Sequence, residues 1–201
     1  NDPPTITRKL MKNLREDLGK MKYLFPEIIG YDDSDLKLQM KEMGNLGVVC
    51  AHGGTPGLHD LIWFLDGGLE AATYAYYDDY DVLKEFVEME EKKYLKATEM
   101  ALDAKPDFIL TGGSGMWLLQ SEEIFLDLSL PLLKKQTRMC KEAGVVSFVH
   151  SCGKSRKMID YMANETDLNV MNPLEMPPMG DCDLKEVKEK YGHKLALMGN
   201  L

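Results

Sequence analysis

The chain has 201 residues, of which 44% are hydrophobic, and this is enough apolar material for one sizeable core in a single domain. Its 33 acidic and 24 basic residues give a formal net charge of −9. That charge argues against nucleic acids and anionic membranes as partners, because both bind basic surfaces. A membrane span takes about 20 apolar residues, and no stretch of the sequence approaches that length.

The cysteines indicate a reducing compartment. The four of them, Cys50, Cys140, Cys152 and Cys182, are irregularly spaced in a mid-sized acidic chain. This pattern fits the free thiols of a cytoplasmic protein better than a disulfide framework.

Residues 1–46 are predicted to form a helical lead-in. Apolar residues recur at helical spacing over 5–24, with Thr5 as the N-cap, and a second short helix is predicted from 32 to 43. From 47 to 201 strands and helices alternate. Strands are predicted at 47–52, 107–111, 145–149, 168–171 and 195–198, and helices at 58–65, 69–77, 81–104, 121–143, 154–163 and 184–191.

Strict alternation of this kind predicts parallel strands joined by right-handed crossovers, hence an α/β barrel or an open doubly wound sheet. A complete (β/α)8 barrel takes about 250 residues, so we expect these residues to be part of a longer polypeptide. A smaller, complete α/β domain is the alternative. We disfavour it because a last parallel strand without a following helix would leave one sheet face bare.

The most informative stretch is the strand end at His150-Ser151-Cys152. Side chains two positions apart in a strand lie on the same face, so His150 and Cys152 are predicted to point the same way. An imidazole and a thiol are ligands suited above all to zinc. The plainer interpretation is a buried cysteine beside a hydrogen-bonded histidine. A catalytic zinc also needs about three protein ligands, so a third must come from elsewhere.

Four motifs occur in a characteristic order: Leu130-Pro131-Leu132-Leu133-Lys134-Lys135, His150-Ser151-Cys152-Gly153, Asn172-Pro173-Leu174-Glu175 and Gly199-Asn200. This order resembles the uroporphyrinogen decarboxylase superfamily, in which a strand leads to a helix of the first type, then to a strand ending in H-x-C-G and later to one ending in G-N. The resemblance implies a (β/α)8 TIM-type barrel, of which residues 1–201 would be one part.

Within that superfamily the H-x-C motif is closest to the cobalamin-dependent methyltransferase branch. There a zinc is bound by the histidine and the cysteine, here His150 and Cys152, and by a distant cysteine that we expect beyond Leu201. Cys182 is a candidate substitute, although a loop cysteine without a ligand role is the more ordinary interpretation.

Two further residues are candidates for catalysis. Glu175 is predicted to be a general acid or base, a partner that orients His150, or a zinc ligand, and the competing interpretation is a carboxylate that makes a turn contact. His52 adjoins a glycine-rich loop that lets the backbone approach a ligand closely, so we expect it to line the pocket. Predicted contacts to substrate or cofactor are Gly53, Gly54, Thr111, Gly113, Ser114, Asn172, Asn200 and Trp117, the last as a stacking surface for a flat ligand.

The resemblance implies a zinc-dependent methyltransferase that moves a methyl group between a corrinoid, methylcobalamin, and a small-molecule substrate, with a corrinoid protein as a candidate partner. One alternative is uroporphyrinogen decarboxylation, a metal-free reaction that needs cationic side chains to hold several carboxylates. The chain has few arginines, and true decarboxylases carry no His-x-Cys pair at this strand end. Another alternative is a non-catalytic barrel that binds a corrinoid or another ligand. The sequence is compatible with a homo-oligomer and does not fix the oligomeric state.

Overall fold

The computed structural model describes residue 6 and residues 8–199. Its helices are α1 (Leu14–Met21), α2 (Ser34–Met43), α3 (His59–Phe64), α4 (Gly68–Asp78), α5 (Tyr80–Asp103), α6 (Glu122–Ile124), α7 (Leu130–Ala143), α8 (Arg156–Glu165) and α9 (Leu184–Tyr191). The strands are β1 (Cys50–His52), β2 (Phe108–Leu110), β3 (Val146–His150), β4 (Val170–Asn172) and β5 (Ala196–Leu197). A π-helical turn, Phe125–Ser129, joins α6 to α7.

The described strands form one parallel sheet in the order β1-β2-β3-β4-β5, so each strand lies beside its neighbours in the chain. The order does not reverse among these five strands, as it would at the switch point of a doubly wound sheet. The fold is therefore α/β with a parallel five-stranded sheet, and its order is compatible with part of an α/β barrel.

The helices that follow the strands pack on one face of the sheet. Val149 and Met171 point to that face and are fully buried in a cluster with Met158 and Met162 of α8. Ile109 of β2 packs there against Cys140 of α7. A second cluster joins α1, α3, α4 and α5 around Phe86 and Leu83.

The other face of the sheet carries no helix in the described part of the chain. It is apolar and bounds a cavity of about 390 Å³ lined by Val48, Asp107, Phe108, Val146, Phe148, Val170 and Met198. Since side chains alternate along a strand, His150 and Asn172 lie on this same open face as Phe148 and Val170.

The lead-in differs from the prediction. The first helix begins at Leu14, because Asn13 caps it by accepting a hydrogen bond from the Glu16 amide at 3.1 Å. In the preceding segment Met11 pairs with Leu65 in a parallel bridge. The Thr5 cap lies outside the described residues.

The predicted helix 121–143 is interrupted by the π-helical turn. Pro131 at the start of α7 has no amide hydrogen to donate, which removes one regular helical hydrogen bond at this point. The turn brings Ser129 against the loop after β1, where its hydroxyl donates to the Pro56 carbonyl at 3.4 Å.

Among the helices in the described part of the chain, none is both long and apolar enough to cross a membrane.

Candidate functional site

The loops after the strands meet at the carboxyl-terminal edge of the sheet, as parallel pairing requires. β2 and β3 pair in parallel, and so do β3 and β4. Polar contacts cross this edge from Ser114 to Cys152, from Gly153 to Glu175 and from Asn172 to Met198. The ends of β2, β3, β4 and β5 therefore meet at one edge of the sheet, and Asn200 lies outside the described residues.

His150 and Cys152 face each other at the end of β3. The His150 Nε2 atom lies 2.9 Å from the Cys152 Sγ atom, and both residues are half-buried. The predicted common orientation of the imidazole and the thiol is therefore confirmed.

The second ring nitrogen of His150 is also occupied. Nδ1 lies 2.6 Å from Oδ1 of Asn172, which ends the neighbouring strand and is the registered partner of His150. The Asn172 amide nitrogen donates in turn to the Met198 carbonyl at 3.3 Å. The sequence predicts Asn172 only as a contact to substrate or cofactor. Its hydrogen bond to His150 depends on the strand register, which the sequence does not reveal.

Ser114 lies on the other side of the thiol, with its hydroxyl oxygen 3.3 Å from Cys152 Sγ. It belongs to the loop after β2 and is exposed. Gly113 lets this loop approach the loop after β1, because a Cβ at Gly113 would meet Thr55 Oγ1 at 2.7 Å. Ser114 is thus an exposed hydroxyl beside the half-buried thiol.

Glu175 makes the turn contact that was its competing interpretation. Its Oε2 accepts a hydrogen bond from the Gly153 amide and so ties the loop after β4 to the loop after β3. The prediction that Glu175 orients His150 is wrong, because Asn172 holds Nδ1 and Cys152 adjoins Nε2.

The donor chemistry of His150 and Cys152 suits zinc, and both atoms are available to one ion. Two ligands of a tetrahedral zinc lie about 3.5 Å apart, so a small opening of the 2.9 Å separation would admit the metal. Within residues 8–199 no group of three or more histidine, cysteine, aspartate or glutamate side chains is placed to hold an ion. A catalytic zinc needs about three protein ligands. The described part of the chain therefore supplies two of them.

Cys182 does not supply the third ligand. It is fully buried on the helical side of the sheet, in the cluster that contains Met158 and Val187. Its sulfur lies 3.5 Å from the Ser155 hydroxyl, and burial raises the pKa of its thiol. The interpretation of Cys182 as a substitute ligand is therefore wrong.

His52 lies apart from the pair. It is exposed and registers with Leu110 and, through it, with Phe148, two residues before His150 on β3. Two strand spacings and two residues along the strand separate the His52 and His150 backbones by roughly 12 Å. His52 borders the open face without contacting the His150–Cys152 pair, and its catalytic role stays a prediction.

The glycines after His52 have packing roles. The Gln136 amide donates to the Gly53 carbonyl at 2.5 Å, and a Cβ at Gly54 would run into the Tyr94 ring. These approaches join the loop to α7 and α5. Contact of Gly53 and Gly54 with a ligand stays a prediction.

Two other predicted contacts face inwards. Thr111 is fully buried and its hydroxyl lies 3.4 Å from the Phe148 carbonyl, so its side chain exposes no surface to a substrate. Trp117 packs edge-on against Phe125 with ring centroids 4.9 Å apart, and beside Tyr161. This packing explains the Trp117 side chain as part of the core, and its stacking on a flat ligand stays a prediction.

Comparison with known proteins finds no family model that matches the chain and no curated protein with significant sequence similarity to it. Membership of the uroporphyrinogen decarboxylase superfamily therefore stays a prediction that depends on the order of the motifs.

Proposed function

We propose that the chain is part of a (β/α)8 barrel of the uroporphyrinogen decarboxylase superfamily, and that it transfers a methyl group between a corrinoid and a small substrate with the help of zinc. The observation that carries this proposal is the His150–Cys152 pair, whose ligand atoms lie 2.9 Å apart at the carboxyl-terminal edge of a parallel sheet. Active sites of α/β barrels lie at that edge.

His150 through Nε2 and Cys152 through Sγ would hold the zinc. When bound, zinc favours the thiolate form of a thiol substrate or acts as a Lewis acid on a methyl donor. Asn172 holds the His150 ring in place, and the exposed Ser114 hydroxyl beside the sulfur can hydrogen-bond a small polar substrate.

The apolar sheet face beside the pair is compatible with the inner face of a barrel, where side chains of further strands would cover it. Phe108 and Phe148 lie edge-to-face in this face, with centroids 5.5 Å apart. The pair itself lies at the carboxyl-terminal edge, where an α/β barrel binds its ligand.

The decarboxylase alternative receives less support, because three arginines are already paired on helices. Arg15 lies 2.5 Å from Asp79, Arg138 lies 2.8 Å from Asp167, and Arg156 is bonded to Glu186. A cradle for several substrate carboxylates needs unpaired cationic groups at the strand ends.

The proposal is tested by Cys152→Ser in the full-length protein. Serine is nearly isosteric but hardly ionises, so we expect loss of bound zinc and of methylcobalamin consumption, with the fold kept. Cys50→Ser is the matched control, because Cys50 is also half-buried and lies on the same sheet face.

Zinc content by metal analysis and methylcobalamin by its absorbance give the result. Full activity in Cys152→Ser would contradict the zinc mechanism. Zinc bound through Cys152 without any methyl transfer would favour the non-catalytic ligand-binding barrel.

A further inference from the structure

The amide of Asn172 has a defined direction. Its nitrogen donates to the Met198 carbonyl at 3.3 Å, which leaves its oxygen facing His150 Nδ1 at 2.6 Å. The reversed amide would set Oδ1 against the Met198 carbonyl, where two acceptors would meet without a hydrogen between them.

This direction decides which nitrogen of His150 carries hydrogen. An amide oxygen can only accept a hydrogen bond, so Nδ1 must be the donor. In the neutral ring the other nitrogen, Nε2, is then bare and presents its lone pair to the Cys152 side. A zinc ion binds a histidine through exactly such an unprotonated nitrogen, and a hydrogen bond at the other nitrogen commonly fixes the tautomer.

We propose that Asn172 is a positioning residue, which holds His150 as the Nδ1-protonated tautomer and so makes Nε2 the metal-binding nitrogen. The part of this inference that concerns metal rests on the proposed function, whereas the assignment of the tautomer does not. Asn172 acts through His150 and need not touch the substrate.

The sheet itself sets this arrangement. His150 and Asn172 are registered partners on β3 and β4, and the Met198 amide donates to the Met171 carbonyl at 3.0 Å. Three successive strand ends therefore place the Met198 carbonyl, the Asn172 amide and the His150 ring in one row. No other side chain contacts Nδ1 among the described hydrogen bonds, since the nearby Glu175 bonds to the Gly153 amide.

The tautomer is measured on the metal-free, full-length protein by nitrogen NMR of ¹⁵N-labelled histidine, with His150→Gln to identify the signals. We expect hydrogen on Nδ1 of His150, which holds for both the neutral and the charged ring. A ring protonated on Nε2 alone would overturn the proposal.

The effect on metal is measured as zinc affinity by competition with a chelator. Asn172→Ala is expected to bind zinc about 10- to 100-fold more weakly. Asn172→Asp keeps an acceptor at Nδ1 and should stay within about 10-fold of the unaltered protein. The control Asn164→Ala, at an exposed position in α8, should leave the affinity unchanged.

The two failures are distinguishable. Equal zinc affinity in Asn172→Ala and the unaltered protein would overturn the positioning role while leaving the zinc site intact. If the unaltered protein bound no zinc, the proposed function would fail, and the NMR experiment would still decide the tautomer. Circular dichroism of each variant shows whether the fold is kept.

Discussion

The ring of His150 is held at both nitrogens, by Asn172 on one side and beside Cys152 on the other. Such double restraint fixes where the lone pair of a potential ligand points, which a histidine on a mobile loop would not achieve. Glu175, which the sequence predicts as a candidate partner of His150, instead accepts a hydrogen bond from the Gly153 amide. Which side chain contacts the His150 ring therefore depends on which strand ends are adjacent in the sheet.

Away from the candidate site, the buried carboxyl group of Glu90 in α5 should make the stability of the protein depend on pH. Glu90 is 2% exposed and neither carboxyl oxygen has a hydrogen-bond partner among the described residues. Burial, and then the charge of Asp60, raise the pKa of Glu90 well above its ordinary value. The folded state therefore binds this proton more tightly than the unfolded state does.

The stabilising contribution of the protonated Glu90 is complete below the ordinary glutamate pKa of about 4.3 and is lost as pH rises through the higher folded pKa. Glu90→Gln should remove this loss, so the variant should gain stability relative to the unaltered protein as pH rises from 4 to 8. Urea unfolding across that range measures the difference. Glu88→Gln, at an exposed position on the same helix, is the control and should show no such trend. If the difference in stability between Glu90→Gln and the unaltered protein did not change with pH, Glu90 would have the same pKa in the folded and unfolded states.

At the scale of elements, the loop after β1 depends on the helices behind it. Gly54 has a φ of +91° and lies against the Tyr94 ring. Gly54→Ala should destabilise the protein by about 1–3 kcal/mol, through overpacking and an unfavourable backbone conformation.

The control is Gly19→Ala in α1, where nothing lies within 4 Å of the added Cβ. Alanine is the better helix former, so this change should stabilise the protein by about 0.5–1 kcal/mol. Urea unfolding compares the two variants. A Gly54→Ala protein as stable as the unaltered one would show that the loop can move away from Tyr94.

Most elements were predictable because their patterns are local. Helix α9 has the predicted bounds, and the strand leading to His150 differs from the prediction by one residue at each end. The apolar spacing of residues 5–24 hides the start of α1. The N-cap Asn13 is a local signal for it, whereas the pairing of Met11 with Leu65, which is distant in sequence, is not. The π-helical turn was also not predicted from the sequence, because the apolar residues keep their helical spacing across it.

The candidate site was predictable only in part. The common orientation of His150 and Cys152 follows from strand alternation alone. The contact of Asn172 with His150, the bond of Glu175 to Gly153 and the burial of Cys182 depend on the register of β4 and the placement of the helices. The catalytic role of Glu175 stays a prediction. These are properties of the sheet, and no local pattern encodes them.

At the scale of the whole molecule, one sheet face is covered by helices and the other is apolar and open in the described part of the chain. The strand order does not reverse, and right-handed crossover connections then all lie on the same face of the sheet. The candidate metal pair lies at the carboxyl-terminal edge of the open face, where α/β barrels carry their active sites.

X-ray absorption at the zinc edge of the full-length, zinc-loaded protein tests the central claim, that His150 and Cys152 bind one metal ion. We expect a shell with sulfur at about 2.3 Å and nitrogen at about 2.0–2.1 Å. After removal of free metal, Cys152→Ser should retain no zinc signal, and Cys50→Ser should show the same shell as the unaltered protein. A zinc shell of oxygen and nitrogen alone in the unaltered protein would show that Cys152 does not bind the metal.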